Sequence, residues 1–272
     1  MALTKYNLFR YIIIAIVAVL IASLWPFHKN TDGSSIIRDY EEIIYDSTLY
    51  AVTEYNSISY FVSGDTISGF HYDLIQAFVR EKGMKLKITP EMSFEKRKEG
   101  LKNRQYDVIT YGIPVTSQLT DSFLFTTPII KSRQILVQRK EELDSNYVKN
   151  QLQLAKKTLH VEKGSPAIMR IHNLGNEIAD TIYIREVERY GQEQLIAMVA
   201  HGDIEYAVVD ENIARAATDS FPQLDINTGI GFTQLYSWAV RKESPELCDS
   251  LNSWLNDFMK TKEFKQIYAK YF

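Results

Sequence analysis

Between Thr48 and Gln138 short apolar strands alternate with amphipathic helices, and after a hydrophilic stretch at 139–149 the alternation starts again. Alternation at this pitch implies βαβ units and a mostly parallel sheet, because a parallel return needs a long crossover. A first strand is expected at 48–53. From Phe70 the apolar positions Leu74, Ile75, Ala77, Phe78 and Val79 share one helical face that closes at Gly83. A strand at 86–88, a charged helix at 94–101, a buried strand at 107–111 ending in a glycine turn at Gly112, and a strand at 134–138 complete the first set. The second set has strands at 158–161, 181–184 and 206–209 and helices at 166–174, 193–201 and 211–218. A strand at 237–241 and amphipathic helices at 246–259 and 263–271 finish the chain.

The 272 residues suffice for one or two domains with a substantial core. The formal net charge is −3. Residues 1–30 carry only Lys5, Arg10 and Lys29, so the rest has 28 basic against 34 acidic residues, a net −6. A mildly acidic body gives no electrostatic reason to expect nucleic acid as a partner. The lone cysteine, Cys248, allows no intramolecular disulfide and reads as a buried thiol beside Leu247 and Leu251.

At the N-terminus, the 17 uncharged residues 11–27 follow Lys5 and Arg10. At ~1.5 Å per residue the run is just long enough, with some local thinning, for a ~30 Å hydrocarbon layer, and the preceding cations keep the short tail cytoplasmic. An uncleaved inner-membrane anchor and a cleaved signal peptide are both consistent with it; 22–25 lacks a clean small-x-small site, and Trp25-Pro26 suits an interfacial stop. Residues 1–30 are thus an anchor or signal segment, and the polar stretch 31–45 a linker.

The run Gly69-Phe-His-Tyr-Asp-Leu-Ile-Gln-Ala-Phe78, then Tyr106-Asp-Val-Ile109, Gly112 and Thr116-Ser-Gln-Leu-Thr-Asp-Ser-Phe-Leu-Phe125-Thr-Thr-Pro128, resembles the amino-acid-type (family 3) periplasmic solute-binding proteins. The stretches 52–61, 133–140 and 264–272 are similar to the solute-binding module of the membrane-bound lytic transglycosylase F family, where a lysozyme-like catalytic domain follows. The chain ends where that domain would begin, so no transglycosylase chemistry is expected. The resemblance implies a type II two-lobe α/β clamshell, with lobe 1 at 46–138 plus 232–272 and lobe 2 at 139–231. The crossing strands, near 136–139 and 229–233, would form the hinge.

The resemblance also implies site residues, each with a plainer alternative. Glu54, Tyr55, Asn56 and Ser57 form a first cleft loop or an ordinary surface loop. Tyr111 and Gly112 end the buried strand, where glycine allows close ligand approach or simply turns the chain. Thr116 opens a short helix as an anion contact or as an N-cap. Gly164 and Ser165 precede a lobe 2 helix in the same two senses. Asp210 receives a ligand ammonium at a strand's carboxyl end or caps the following helix. Two departures weaken an α-amino acid as ligand. Leu119 stands where the family places its carboxylate-gripping arginine, and Pro114 where a hydroxyl is common. Arg133, in the hinge strand, is a candidate substitute cation.

No HExxH, GxSxG, CxxC or clustered His/Asp spacing is present, and His28, His71, His160, His172 and His201 are scattered. Neither metal nor cofactor is expected. The leading expectation is a non-catalytic, membrane-tethered periplasmic solute-binding or sensing protein for an amino-acid-like, peptide or muropeptide ligand, with a permease or cell-wall hydrolase as partner. A degenerate regulatory module of cell-wall machinery is the alternative, and a dehydratase-like enzyme on the same scaffold is the third.

Overall fold

The computed structural model describes residues 38–272; the apolar run 11–27 lies outside the described residues. Among the described residues, no helix is long and apolar enough to cross a membrane. The linker expected at 31–45 is not linker over its second half. Asp39 caps helix α1 (Tyr40–Asp46) in a capping box with Glu42, and Ile43 is buried. Arg38 donates to Asp107 at 3.0 Å and to the Thr48 carbonyl at 2.8 Å. The Asp39-x-x-Glu42 spacing supplies both reciprocal bonds of the box, which overrides the polar composition of the stretch.

Lobe 1 begins with β1 (Thr48–Thr53), a small hairpin β2 (Phe61–Ser63) and β3 (Thr66–Ser68), α2 (Phe70–Glu81) and β4 (Lys85–Pro90). It continues through α3 (Phe94–Lys102), β5 (Val108–Pro114), the single-turn α4 (Ser117–Thr120), β6 (Phe123–Phe125) and β7 (Ile130–Ser132). Lobe 2 holds β8 (Gln134–Arg139), β9 (Thr158–Glu162), α5 (Ala167–Glu177), β10 (Tyr183–Val187), α6 (Gln192–His201), β11 (Ala207–Asp210), α7 (Glu211–Ala217) and β12 (Leu224–Asp225). The chain returns to lobe 1 with β13 (Gln234–Arg241), α8 (Pro245–Phe258) and α9 (Lys262–Tyr271).

The first sheet runs β4-β1-β5-β13-β6, with β7 also on β13. Its β1 pairs are parallel, and the returning β13 is antiparallel to β5, β6 and β7. The second runs β10-β9-β11-β8-β12, parallel around β9 and antiparallel around β8. Both sheets are mixed because each receives a strand from the chain's crossing between lobes. Sheet membership moves the expected boundary: β8, assigned to lobe 1 up to 138, pairs with β11 and β12. Ser132 pairs with Gln234 in the first sheet and Gln134 with Asp210 in the second, so the outward crossing is the single residue Arg133. The return crossing lies between the Ile135–Gly229 bridge and Gln234.

Gly112 makes no turn. It sits inside β5, whose seven residues are all buried. A Cβ there would meet His71, Ile130 and Tyr236 at 3.4–3.5 Å, ordinary contact. His71 is a core histidine accepting from Trp238 Nε1 at 2.9 Å, and burial holds its pKa down at about 3. On the far side, Trp254 of α8 meets Phe78 of α2 edge-on with ring centroids 5.4 Å apart, anchoring α8 against lobe 1.

Candidate functional site

Between the lobes the facing side chains close on one another, leaving a cavity of ≈ 20 Å³. That is room for about one water molecule. Phe94, Tyr111 and Pro114 line it from lobe 1, and Gln134, Glu162 and Asp210 are among those from lobe 2.

Asp210 centres one half of the site. It stands at the N-cap position of α7, yet its side chain makes no capping bond. Its carboxylate instead accepts from Tyr236 Oη at 2.6 Å, Gln192 Nε2 at 2.8 Å and Tyr111 Oη at 3.4 Å. Tyr111 and Tyr236 belong to lobe 1 strands, so these bonds cross the cleft. Gln192 locks the arrangement, its Oε1 accepting from the Asp210 amide at 2.6 Å and its Nε2 reaching Tyr111 Oη at 2.7 Å. Burial raises the Asp210 pKa against these hydrogen bonds. It also pushes the Tyr111 and Tyr236 phenols well up, so both remain donors.

The other half is built on Arg97, wholly buried on α3. Its Nη2 donates to Glu54 Oε2 and to Glu162 Oε1, both at 2.9 Å, joining a lobe 1 loop to a lobe 2 strand. Its Nη1 donates to the carbonyls of Glu91 at 2.6 Å and Met92 at 3.1 Å. The guanidinium lies 4.8 Å from the Tyr111 ring centroid, within cation–π range. Glu54 Oε1 also accepts from the Gln192 amide at 3.3 Å, and Glu162 Oε1 from the Phe94 amide at 2.6 Å. Burial raises the Glu54 pKa against the opposing charge of Arg97. Burial likewise lifts Glu162, to about 8, with Arg97 opposing and Glu54 adding to it. Burial would lower the Arg97 pKa, but Glu162 and Glu54 hold it up. Two buried carboxyl groups thus hold one guanidinium, with the Asp210 carboxyl near enough to both to add to their raised pKa values.

Of the expected site residues, Glu54, Tyr111 and Asp210 meet in this cluster. Ser165 lines the same cavity. Ser57 reaches across the lobes, with its amide and hydroxyl both on Glu193, the amide at 2.9 Å. Asn56 shapes its own loop, its Oδ1 accepting from the amides of Ile58 and Ser59. Tyr55 is exposed, with its ring edge-on to Tyr60. Thr116 caps α4 through the Leu119 amide. With Gly164, Ser165 and Leu119 it borders a second cavity of ≈ 170 Å³ at the cleft mouth, where Lys98 and Lys102 also stand. Gly112 faces the core instead of the cleft. Arg133 pairs with Glu211 at 2.9 Å beside the crossing, so it supplies no cation to the central cavity.

Arg97, Glu162, Gln192 and Tyr236 were not anticipated. Phe94, Arg97 and Leu101 share the buried face of α3 at i, i+3 and i+7, the signal that marks Arg97 as inward.

Comparison with known proteins agrees with this architecture. Membrane-bound lytic murein transglycosylase F of Desulfosudis oleivorans is 27% identical over 258 residues, covering 94% of this chain and 54% of that protein. The same-named protein of Photobacterium profundum is 24% identical over 260 residues, covering 94% and 49%. The chain therefore spans about half the length of these curated relatives. Among solved structures, the arginine-bound truncated form of ArgBP from T. maritima has a TM-score of 0.69 at 27% identity, covering 80% of this chain and 100% of that one. Holo ArgBP from T. maritima gives 0.71 at 25%, covering 86% and 100%. Residues 49–272 match the bacterial extracellular solute-binding proteins, family 3, and the chain belongs to that family.

Proposed function

We propose that this chain is an extracytoplasmic sensing module that closes its two lobes on a small amino-acid-like, peptide or muropeptide ligand. The observation that carries the reading is the convergence of Tyr111 and Tyr236 from lobe 1 with Gln192 and Asp210 from lobe 2. The bonds of Tyr111 to Asp210 and Gln192 and of Tyr236 to Asp210 cross the cleft and exist only when the lobes are shut, so rotation at Arg133 and 229–233 makes and breaks them together. An amino-acid-like ligand is supported by the arginine bound in the T. maritima protein. The N-terminal run 11–27 is the proposed inner-membrane tether, with the body in the periplasm. Protease added to spheroplasts then digests the body; a protected body counts against the tether.

With about one water's space in the shut cleft, a ligand enters only when the lobes part. The reading is tested by thermal shift of the full-length chain with amino acids, agmatine, short peptides and muropeptides. Stabilisation by at least one class supports it, and a flat response to all of them contradicts it. The sealed cleft, together with Leu119 in the arginine position, favours a second reading: a module that regulates transglycosylase-type cell-wall machinery or a permease without binding solute.

A further inference from the structure

We infer that Arg97 is a built-in occupant of the cleft, a tethered cation that holds the lobes shut where a ligand's cationic group would sit, so that ligand binds by exchanging with it. The inference rests on the reading of this cleft as the ligand site.

The surroundings of the guanidinium are those of a bound cationic ligand. It has one carboxylate from each lobe at 2.9 Å and the face of Tyr111 at 4.8 Å. Such charge-assisted bonds and an aromatic face are how proteins hold guanidinium and alkylammonium groups. Only one of the carboxylates, Glu162, comes from lobe 2. Parting the lobes therefore strips Arg97 of one partner while Glu54 stays with it on lobe 1.

The site is also incompletely satisfied. Among the described residues, buried side-chain polar atoms without a hydrogen-bond partner include Arg97 Nε and Gln134 Oε1, both in this cluster. A bridge serving stability alone gains from satisfying each donor, because an orphaned buried one carries its full desolvation penalty. Charge then sets the class of ligand. With the guanidinium gone, Glu54, Glu162 and Asp210 would be left facing one another, and a cationic group in its place restores the charge pairing that Arg97 supplies to Glu54 and Glu162. A tethered competitor acts at an effective concentration of about millimolar, and a ligand loses apparent affinity in proportion to the latched fraction.

The test is calorimetry on the full-length chain with agmatine, a guanidinium ligand without a carboxylate. If the latch is shut nine-tenths of the time, Arg97→Ala binds agmatine about tenfold more tightly than the native chain. Glu54→Gln in the Arg97→Ala background removes that gain, which a merely structural role for Arg97 does not predict. Equal or weaker agmatine binding by a folded Arg97→Ala chain, judged by circular dichroism, overturns the inference. Should Arg97→Ala not fold, Arg97→Lys keeps the charge but has a single nitrogen for four acceptors; it must show a smaller gain, and none overturns the inference. Agmatine binding only in Arg97→Ala, with the native chain unresponsive to every probe, upholds the latch and defeats the sensor reading. Solute binding by the native chain that Arg97→Ala leaves unchanged does the reverse.

Discussion

Replacing Gly191 by alanine is the smallest change that acts on lobe closure while leaving Arg97 in place. Gly191 precedes α6 with φ −79°, a backbone alanine adopts freely, so any cost is steric. A Cβ there would lie 2.6 Å from Glu54 Oε1 and 2.9 Å from Met92 Cε, both on lobe 1. Met92 is half-buried and can rotate. Glu54 cannot, because its Oε2 accepts from Arg97 and its Oε1 from the Gln192 amide and Asn56. Restoring a contact of about 3.5 Å needs a shift of about 0.9 Å, enough to break one of those bonds or to part the lobes. Overpacking of this kind costs about 1–3 kcal/mol, comparable to one charge-assisted hydrogen bond. At about 1.4 kcal/mol per decade, the closed state loses roughly 5- to 150-fold against the open one. Small-angle scattering should then show a larger radius of gyration at unchanged far-ultraviolet circular dichroism. An unchanged radius with a lowered melting temperature would refute the reasoning, since the clash would then act in every state and not on closure.

Two further outcomes follow from the cluster and the cleft mouth. The Glu162 pKa of about 8 stands above the ordinary carboxyl value of 4.5, so its contribution to stability is full below the ordinary value and is lost as pH rises through 8. Thermal melts should fall between pH 6 and pH 9, and Glu162→Gln should flatten the difference; an identical drop in the variant assigns it to other groups. Leu119→Arg should restore an anion grip beside Lys98 and Lys102. Free α-amino acids would gain about one to two decades of affinity from a bond of about 1.5–3 kcal/mol. Asp210→Ala cancels most of that gain in calorimetry, and no gain in Leu119→Arg means the mouth no longer serves the ligand's carboxylate.

The sequence made the scaffold legible because its helices and buried strands have strong, opposite periodicities. Phe70, Leu74, Ile75, Phe78 and Val79 form the inner face of α2, and β5 reads as a continuous apolar run. Asp210 was readable too, since a carboxylate at the end of a buried strand faces the cleft in such sheets. Glycine was misleading at 112, where small size serves strand packing against His71 and Tyr236 and not a turn. Gly191 matters more: only a hydrogen leaves space for Glu54 at the lobe boundary, a tertiary constraint with no local signature. Arg97 lies in Glu-Lys-Arg-Lys-Glu, which by composition is a solvated helix face. Only its register with Phe94 and Leu101 turns it inward, and no local rule pairs it with Glu54 and Glu162, 43 and 65 residues away.

Lobes that part and close around Arg97 must change the distance between them. Pulsed electron resonance on spin labels at the exposed positions Tyr45, on α1 packed against lobe 1, and Leu152 in lobe 2, with Cys248 replaced by alanine, reads that motion directly. The expected result is a dominant short distance in the otherwise native chain, a longer one in Arg97→Ala, and return of the short one when agmatine is added to that variant. One and the same distance in all three samples would contradict the account.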